Sequence, residues 1–454
     1  MISTILNAQY LDGNTRTWGN MEYNDDPWVY NMSHPYFITE GLQNKHLSVW
    51  ASHGRYYDND QKRWKWQRPN LFCTTEDLFT QTIVVPYLIP MLQNAGAIVF
   101  TPRERDWQKY EIIIDNDDPI KKAYYQETNN SKKWKQGKVP GFAVKKALYV
   151  DGDNPFEDGT MRQAKATKKK NASKISYQPN IPEEGKYAVY VSYQSLRKSV
   201  TDAKYIVYHK GQATEFAVNQ QMGGGTWVYL GTFDFDKGCN EYNRVVVTNH
   251  ASSKGVVTSD AVRFGGGMGN IARGGYTSGL PRCLEGARYY AQWAGAPYSV
   301  YGGRKGINDY ADDINTRSMM TNWLGGGSLY MPALDGGKVP FELTLAVHSD
   351  AGYNPDGKST WGALAICTTQ FNDERLNSGI SRYTSKDFAK ALLKNLVTDM
   401  RANYGEFGER YLWDKNYSET RVPEVPSAII ETLSHQSFPD MKLAQDPMVK
   451  FTIA

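Results

Sequence analysis

Of the chain's seven histidines, two close apolar runs that read as strands: His53 after LSVWAS, and His348 at the end of FELTLAVH. Two glutamates hold comparable places. Glu76 opens a helical pattern (TTEDLFTQ), and Glu431 ends the apolar run SAIIET. In open α/β sheets, sites assemble at the C-terminal edge of the strands. Two imidazoles and one carboxylate, with a fourth position left to water, form a common catalytic zinc set. A further carboxylate beside the metal can accept the water's proton and pass it to a leaving nitrogen. Taken singly, a histidine at a strand end is more often a structural hydrogen-bonding residue, so spacing alone leaves both readings open.

The elements that would position these side chains follow from periodicity. Residues 47–52 form a short strand delivering His53-Gly54 to its end. Thr74-Thr75 before Glu76-Asp77 suits an N-cap, and Asn94-Ala95-Gly96 suits a stop. Pro86 and Pro90 should kink or divide the helix between them. Residues 97–101 (AIVFT) read as the next strand, and strand, helix, strand in succession imply a parallel sheet. From about 140 to 265 the period becomes two (KYAVYVSYQ, AKYIVYHKG, TEFAVNQQ, WVYLGTFDF, NRVVVTNH, VVTSDAVRF), the pattern of an antiparallel sandwich. Helical patterns resume over 281–295 and 309–324. A strand over 341–348, an amphipathic helix over 385–404 and a strand over 427–432 follow. The α/β elements therefore flank an all-β block, which indicates an insertion.

Composition narrows the classes. A length of 454 residues has room for two or three domains. The formal charge of +4, from 52 Lys+Arg against 48 Asp+Glu, argues against a dedicated nucleic-acid surface. The basic run over 165–174 (KATKKKNASK) reads as a solvated loop. Thirty-one tyrosines and 12 tryptophans could stack on sugars, but core filling is the default for such residues in a β-rich chain. The four cysteines are dispersed, with no metal knuckle or redox pair, and leave the compartment open. No apolar stretch approaches the ~18 residues of a membrane span. The first residues show no charged segment followed by an apolar run, as in a cytoplasmic protein or a mature chain whose signal peptide is gone.

Several motifs, in order, resemble the zinc-dependent N-acetylmuramoyl-L-alanine amidases. WASHG matches the strand with the first ligand, TTEDLFTQ the helix with the second, and LAVHSDAG the strand end with the third. VFTPRERD resembles the family's Thr-Arg-Asp signature, and TRSMMTN, with Arg317 and Asn322, echoes its Arg-x-x-x-Ala-Asn segment. VPSAIIETLSHQSFPDM matches the strand and loop with the catalytic glutamate. The resemblance covers about 47–106 and 280–454. It implies Zn2+ held by His53, Glu76 and His348, with Glu431 as catalytic base. Departures occur at Trp50-Ala51-Ser52, where the family has Asp-Pro-Gly, at Asp350 in place of Asn, and at His435 in place of a small or polar residue. Asp350 and His435 are therefore candidate substrate contacts, although His435 could instead cap its loop. Arg317 could pair with a substrate carboxylate or, as its neighbourhood favours, with Asp312 or Asp313.

The block EEGKYAVYVSY, YIVYHKGQATEFAVNQQMGGGTWVYLGTFDF and SDAVRF resembles the C-terminal β-sandwich of golvesin-like proteins, also found in proteins named xanthan lyase. Within it, Trp227 and Tyr229 read as core. The expected division is an arm or cap over 1–45, a first amidase-like part over 46–106, an inserted golvesin-like sandwich with linkers over 107–279, and a second amidase-like part over 280–454. The expected fold class is α/β: a mainly parallel sheet flanked by helices, of the zinc amidase type, with an inserted antiparallel β-sandwich. The resemblance implies a partner in peptidoglycan or another cell-wall glycan, no nucleic acid and no membrane span. It also implies a periplasmic, cell-surface or secreted location. Two other readings are a zinc hydrolase or lyase acting on another polysaccharide, and an inert glycan-binding protein that keeps the fold.

Overall fold

The computed structural model describes residues 21–35, 38, 41–118 and 124–454. Residues 1–20 of the expected arm lie outside the described residues. Antiparallel sheets predominate, with comparatively few helices among the described residues. Period-two segments do what their alternation dictates, turning one face inward. A six-stranded antiparallel sheet runs in the order Val29–Asn31, Gln212–Val218, Ala203–His209, Arg244–Thr248, Lys174–Tyr177, Tyr125–Thr128. A four-stranded antiparallel sheet is built from Val228–Phe235, Gly185–Val191, Val262–Phe264 and Ile112–Ile114. Tyr187, Val189, Tyr205, Val207, Val245 and Val247 are fully buried in the core of this region. Trp227 belongs to the same core, whereas Tyr229 is only partly buried and stacks beneath Arg105. The basic loop is solvated, with Lys168, Lys169 and Lys170 exposed.

A second six-stranded sheet carries the site. Its order is Glu409–Asp414, Ala363–Cys367, Ser427–Ser434, Phe341–Asp350, His46–Ala51, Ile98–Phe100. The sheet is mixed. Ile98–Phe100, His46–Ala51, Phe341–Asp350 and Ser427–Ser434 pair in parallel in turn, while Ala363–Cys367 lies antiparallel to Ser427–Ser434 and parallel to Glu409–Asp414. The helix Tyr383–Tyr404 covers one face, burying Ala389, Leu393, Leu396, Val397 and Met400 with Val49, Leu345 and Ala428. Gly405 terminates that helix at φ +81°, a conformation glycine adopts without strain.

Two junctions tie the sheets together. Arg263, fully buried on a sandwich strand, pairs with Glu104 at 2.7 Å and Glu111 at 3.3 Å, and Arg282 meets Glu111 at 2.8 Å. The arm supplies the other junction. Val29–Asn31 forms the edge of the sandwich sheet, while the Trp28 amide donates to Nε2 of His46 and its indole to the Tyr193 hydroxyl.

Candidate metal centre

Four side chains distant in sequence meet at one end of the mixed sheet. His348 and Glu431 are register partners on adjacent parallel strands, so their side chains leave the same face. Ala51 is paired with Val347, and His53 follows just beyond the end of its strand at the same edge. Glu76 comes from the first turn of a broken helix: Glu76–Phe79, Gln81–Ile83, a π-helical turn over Val84–Leu88 holding Pro86, then Ile89–Asn94 with Pro90. The two prolines thus divide the helix, as a missing N–H and a ring in the backbone's path require. Thr75 stands at the N-cap position but makes no capping bond; its hydroxyl donates to Asp77 Oδ2 instead.

One ligand atom from each of His53, Glu76 and His348 lies within 4.8 Å of the other two. His348 Nδ1 is 3.0 Å from Glu76 Oε1, and His53 Nδ1 is 3.5 Å from the same oxygen. The two imidazoles stand at 78° with centroids 4.9 Å apart. His53 Nδ1 and Glu431 Oε2 are buried with no hydrogen-bond partner among the described residues. Such orphaned polar atoms are costly unless another group satisfies them. Two nitrogens and a carboxylate oxygen converging beside orphaned atoms fit a Zn2+ ion in donor type and number.

The surrounding charges act in opposite directions on the two imidazoles. Burial, followed by the charges of His348, Arg317 and others, holds His53 well below its ordinary value, so it is neutral as a ligand must be. For His348, burial acts downward but is outweighed by Glu419, Glu76 and Glu431, which raise it to about 10. Burial lifts Glu431 to about 7, with His348 opposing and Glu76 and Glu419 reinforcing. A carboxyl near neutrality can exchange a proton in either direction.

Four further residues surround the cluster. Glu419, on the short helix Ser418–Arg421, places Oε2 3.1 Å from His348 Nε2, off the hydrogen-bonding axis but within ion-pair range. Its other oxygen meets Arg317 at 2.9 Å and the Trp50 indole at 2.5 Å. Burial would raise Glu419, yet Arg317 and His348 pull it down to about 2, so it stays charged. Arg68 lies 3.3 Å from Glu76 Oε2.

Residues 155–266 match the Golvesin C-terminal domain. Over 97 residues the chain is 33% identical to the xanthan lyase of Bacillus sp. (strain GL1), covering 21% of this chain and 10% of that one. The chain thus spans about a tenth of the length of the curated relative it matches. Among solved structures it is similar to Paenibacillus xanthan lyase, at 24% identity, TM-score 0.26, 34% of this chain and 13% of that one. It is also similar to the N-acetylmuramyl-L-alanine amidase Ami1 of Mycobacterium smegmatis, at 17% identity, TM-score 0.22, 35% of this chain and 72% of that one. The span matching the Golvesin C-terminal domain contains none of His53, Glu76, His348 or Glu431. No helix among the described residues is long and apolar enough to cross a membrane.

Of the three candidate substrate contacts, Arg317 takes the ion pair its neighbourhood favours. Arg317 is fully buried between Asp313, at 3.1 Å, and Glu419, so it pins a helix to the centre and has no open face for a substrate carboxylate. His435 is buried with Nδ1 2.9 Å from the Ser349 carbonyl and 3.9 Å from Glu76 Oε2, so it lies against the candidate ligands. Asp350 stands at the rim with its carboxylate bonded to Arg410, while its carbonyl accepts from the His435 amide.

Proposed function

We propose that the chain is a zinc-dependent hydrolase that cleaves the amide between N-acetylmuramic acid and L-alanine in peptidoglycan, working outside the cytoplasm. The observation carrying this reading is the convergence of His53, Glu76 and His348 on one point, with Glu431 their register neighbour. The ordered motifs around these residues, which resemble the amidase family, supply the choice of substrate.

His53, Glu76 and His348 would hold the ion; when bound, zinc polarises a carbonyl and acidifies water. Glu431, the register neighbour of His348, takes a proton from the attacking water and delivers it to the leaving nitrogen. Glu419 fixes the far side of the His348 ring, and Arg68 steadies Glu76 through its outer oxygen.

Metal analysis and muropeptide hydrolysis test the proposal together. The purified chain should hold about one zinc, and His348→Ala should lose it. Glu431→Gln should keep the zinc but lower kcat by ~10²–10⁴. Zinc with release of product from a different polymer, and none from muropeptides, would transfer the mechanism to another polysaccharide. A metal-free chain retained on glycan would leave a binding protein.

A further inference from the structure

Beside Glu431, at the open edge of the mixed sheet, the strand Glu409–Asp414 and the loop after it carry aromatic rings in contact. Tyr411 and Trp413 alternate along the strand and so share a face; their centroids are 5.9 Å apart. Tyr417 meets Trp413 at 5.7 Å. Trp413 is anchored from below, packing on a cluster of Trp50, Ala346, Leu364, Ile366 and Ile429 beneath the metal centre. The outer rings are open: Tyr411 is 46% and Tyr417 40% exposed. Exposed aromatics fixed by packing, and joined to a candidate centre, mark a contact surface.

The strand Ala363–Cys367 joins the shelf to the centre: Ile366 pairs with Trp413 on one side, and Leu364 with Glu431 on the other. Burial raises the Tyr417 phenol, and the Glu431 carboxylate is the next cause. Arg410 is lowered by burial, with Tyr411 and Glu431 opposing. Its guanidinium lies 4.4 Å over the Trp361 ring and 5.2 Å over Tyr411, and bonds Asp350. Asp414 and Thr369, bonded at 2.6 Å, supply polar groups at the other end.

We propose that Tyr411, Trp413 and Tyr417 form a subsite for the sugar rings of a glycan strand, placing the bond to be cut over Glu431. The proposal rests on the peptidoglycan reading and names where the carbohydrate part of that substrate lies. Flat apolar faces rimmed by phenol hydroxyls and a fixed Arg410–Asp350 pair match a pyranose, which has an apolar C–H face and a rim of hydroxyl and acetamido groups. A purely apolar partner would leave the polar rim unpaired on binding.

The probe is a peptide-free tetramer of N-acetylglucosamine, titrated calorimetrically into the full chain. The double substitution Tyr411→Ala/Tyr417→Ala should weaken binding at least about tenfold, while Tyr411→Phe/Tyr417→Phe stays within about threefold of the parent. Equal affinity of the double alanine variant and the parent, or no binding by the parent, would overturn the subsite. If the double variant melts early, Tyr417→Ser alone carries the same comparison. Zinc content and muropeptide cleavage, measured on the same samples, separate the two ideas. Cleavage without tetramer binding removes the shelf and keeps the hydrolase; tetramer binding lost in the variant, with no zinc in the parent, does the reverse.

Discussion

Glu419 reaches His348 from a helix only four residues long, and no pattern in NYSETRVPE marks it: a single acid in a polar stretch has no apolar period around it. His53, His348 and Glu431 were legible because each ends an apolar run, and strand ends gather at one edge. Arg68 shares the obscurity of Glu419, since a loop arginine declares its partner only once the chain is folded. If Glu419 orients the imidazole as a carboxylate behind a metal ligand does, Glu419→Gln should weaken zinc affinity about 10–100-fold while leaving the stoichiometry unchanged. Competition with a chromogenic chelator reads this directly. An unaltered affinity would reduce Glu419 to a counter-ion for Arg317.

Among the elements, period and punctuation announced the strands at His46–Ala51 and Phe341–Asp350, the sandwich strands, and the break at Pro86 and Pro90. Two strands of the mixed sheet were not legible. ALAIC is a short wholly apolar run, ambiguous between strand and buried helix, and ERYLWD lies on an edge where alternation is diluted by polar residues. The antiparallel turn they introduce depends on Gly362, at φ +79°, where an added Cβ would strike the carbonyl of Gly408. Gly357, at φ +64°, has open space around it. Gly362→Ala should therefore cost clearly more than about 1 kcal/mol in urea unfolding, and more than Gly357→Ala. Equal losses would mean that backbone conformation alone, and not the close approach, is at stake.

At the scale of the whole molecule, buried carboxyls shape the response to pH. Burial, reinforced by Asp117, pushes Asp115 from 3.8 up to about 8, and one of its oxygens has no partner among the described residues. The folded chain keeps this proton where the unfolded chain has released it, so the stability present below about pH 4 is lost as pH rises towards 8. Asp115→Asn, which needs no proton, should raise the melting temperature at pH 9 by at least about 2 °C and change it little near pH 4. A uniform shift across pH would point to packing. The arm at Val29–Asn31 has a different reach. Together with Ile112–Ile114 it closes sheets that the span 155–266 cannot complete by itself. A fragment cut to that span would bare the backbone of Gln212–Val218 and Val262–Phe264, inviting other copies to pair there. To be handled as a soluble piece, the sandwich must therefore bring along segments that precede it, one of them by more than a hundred residues.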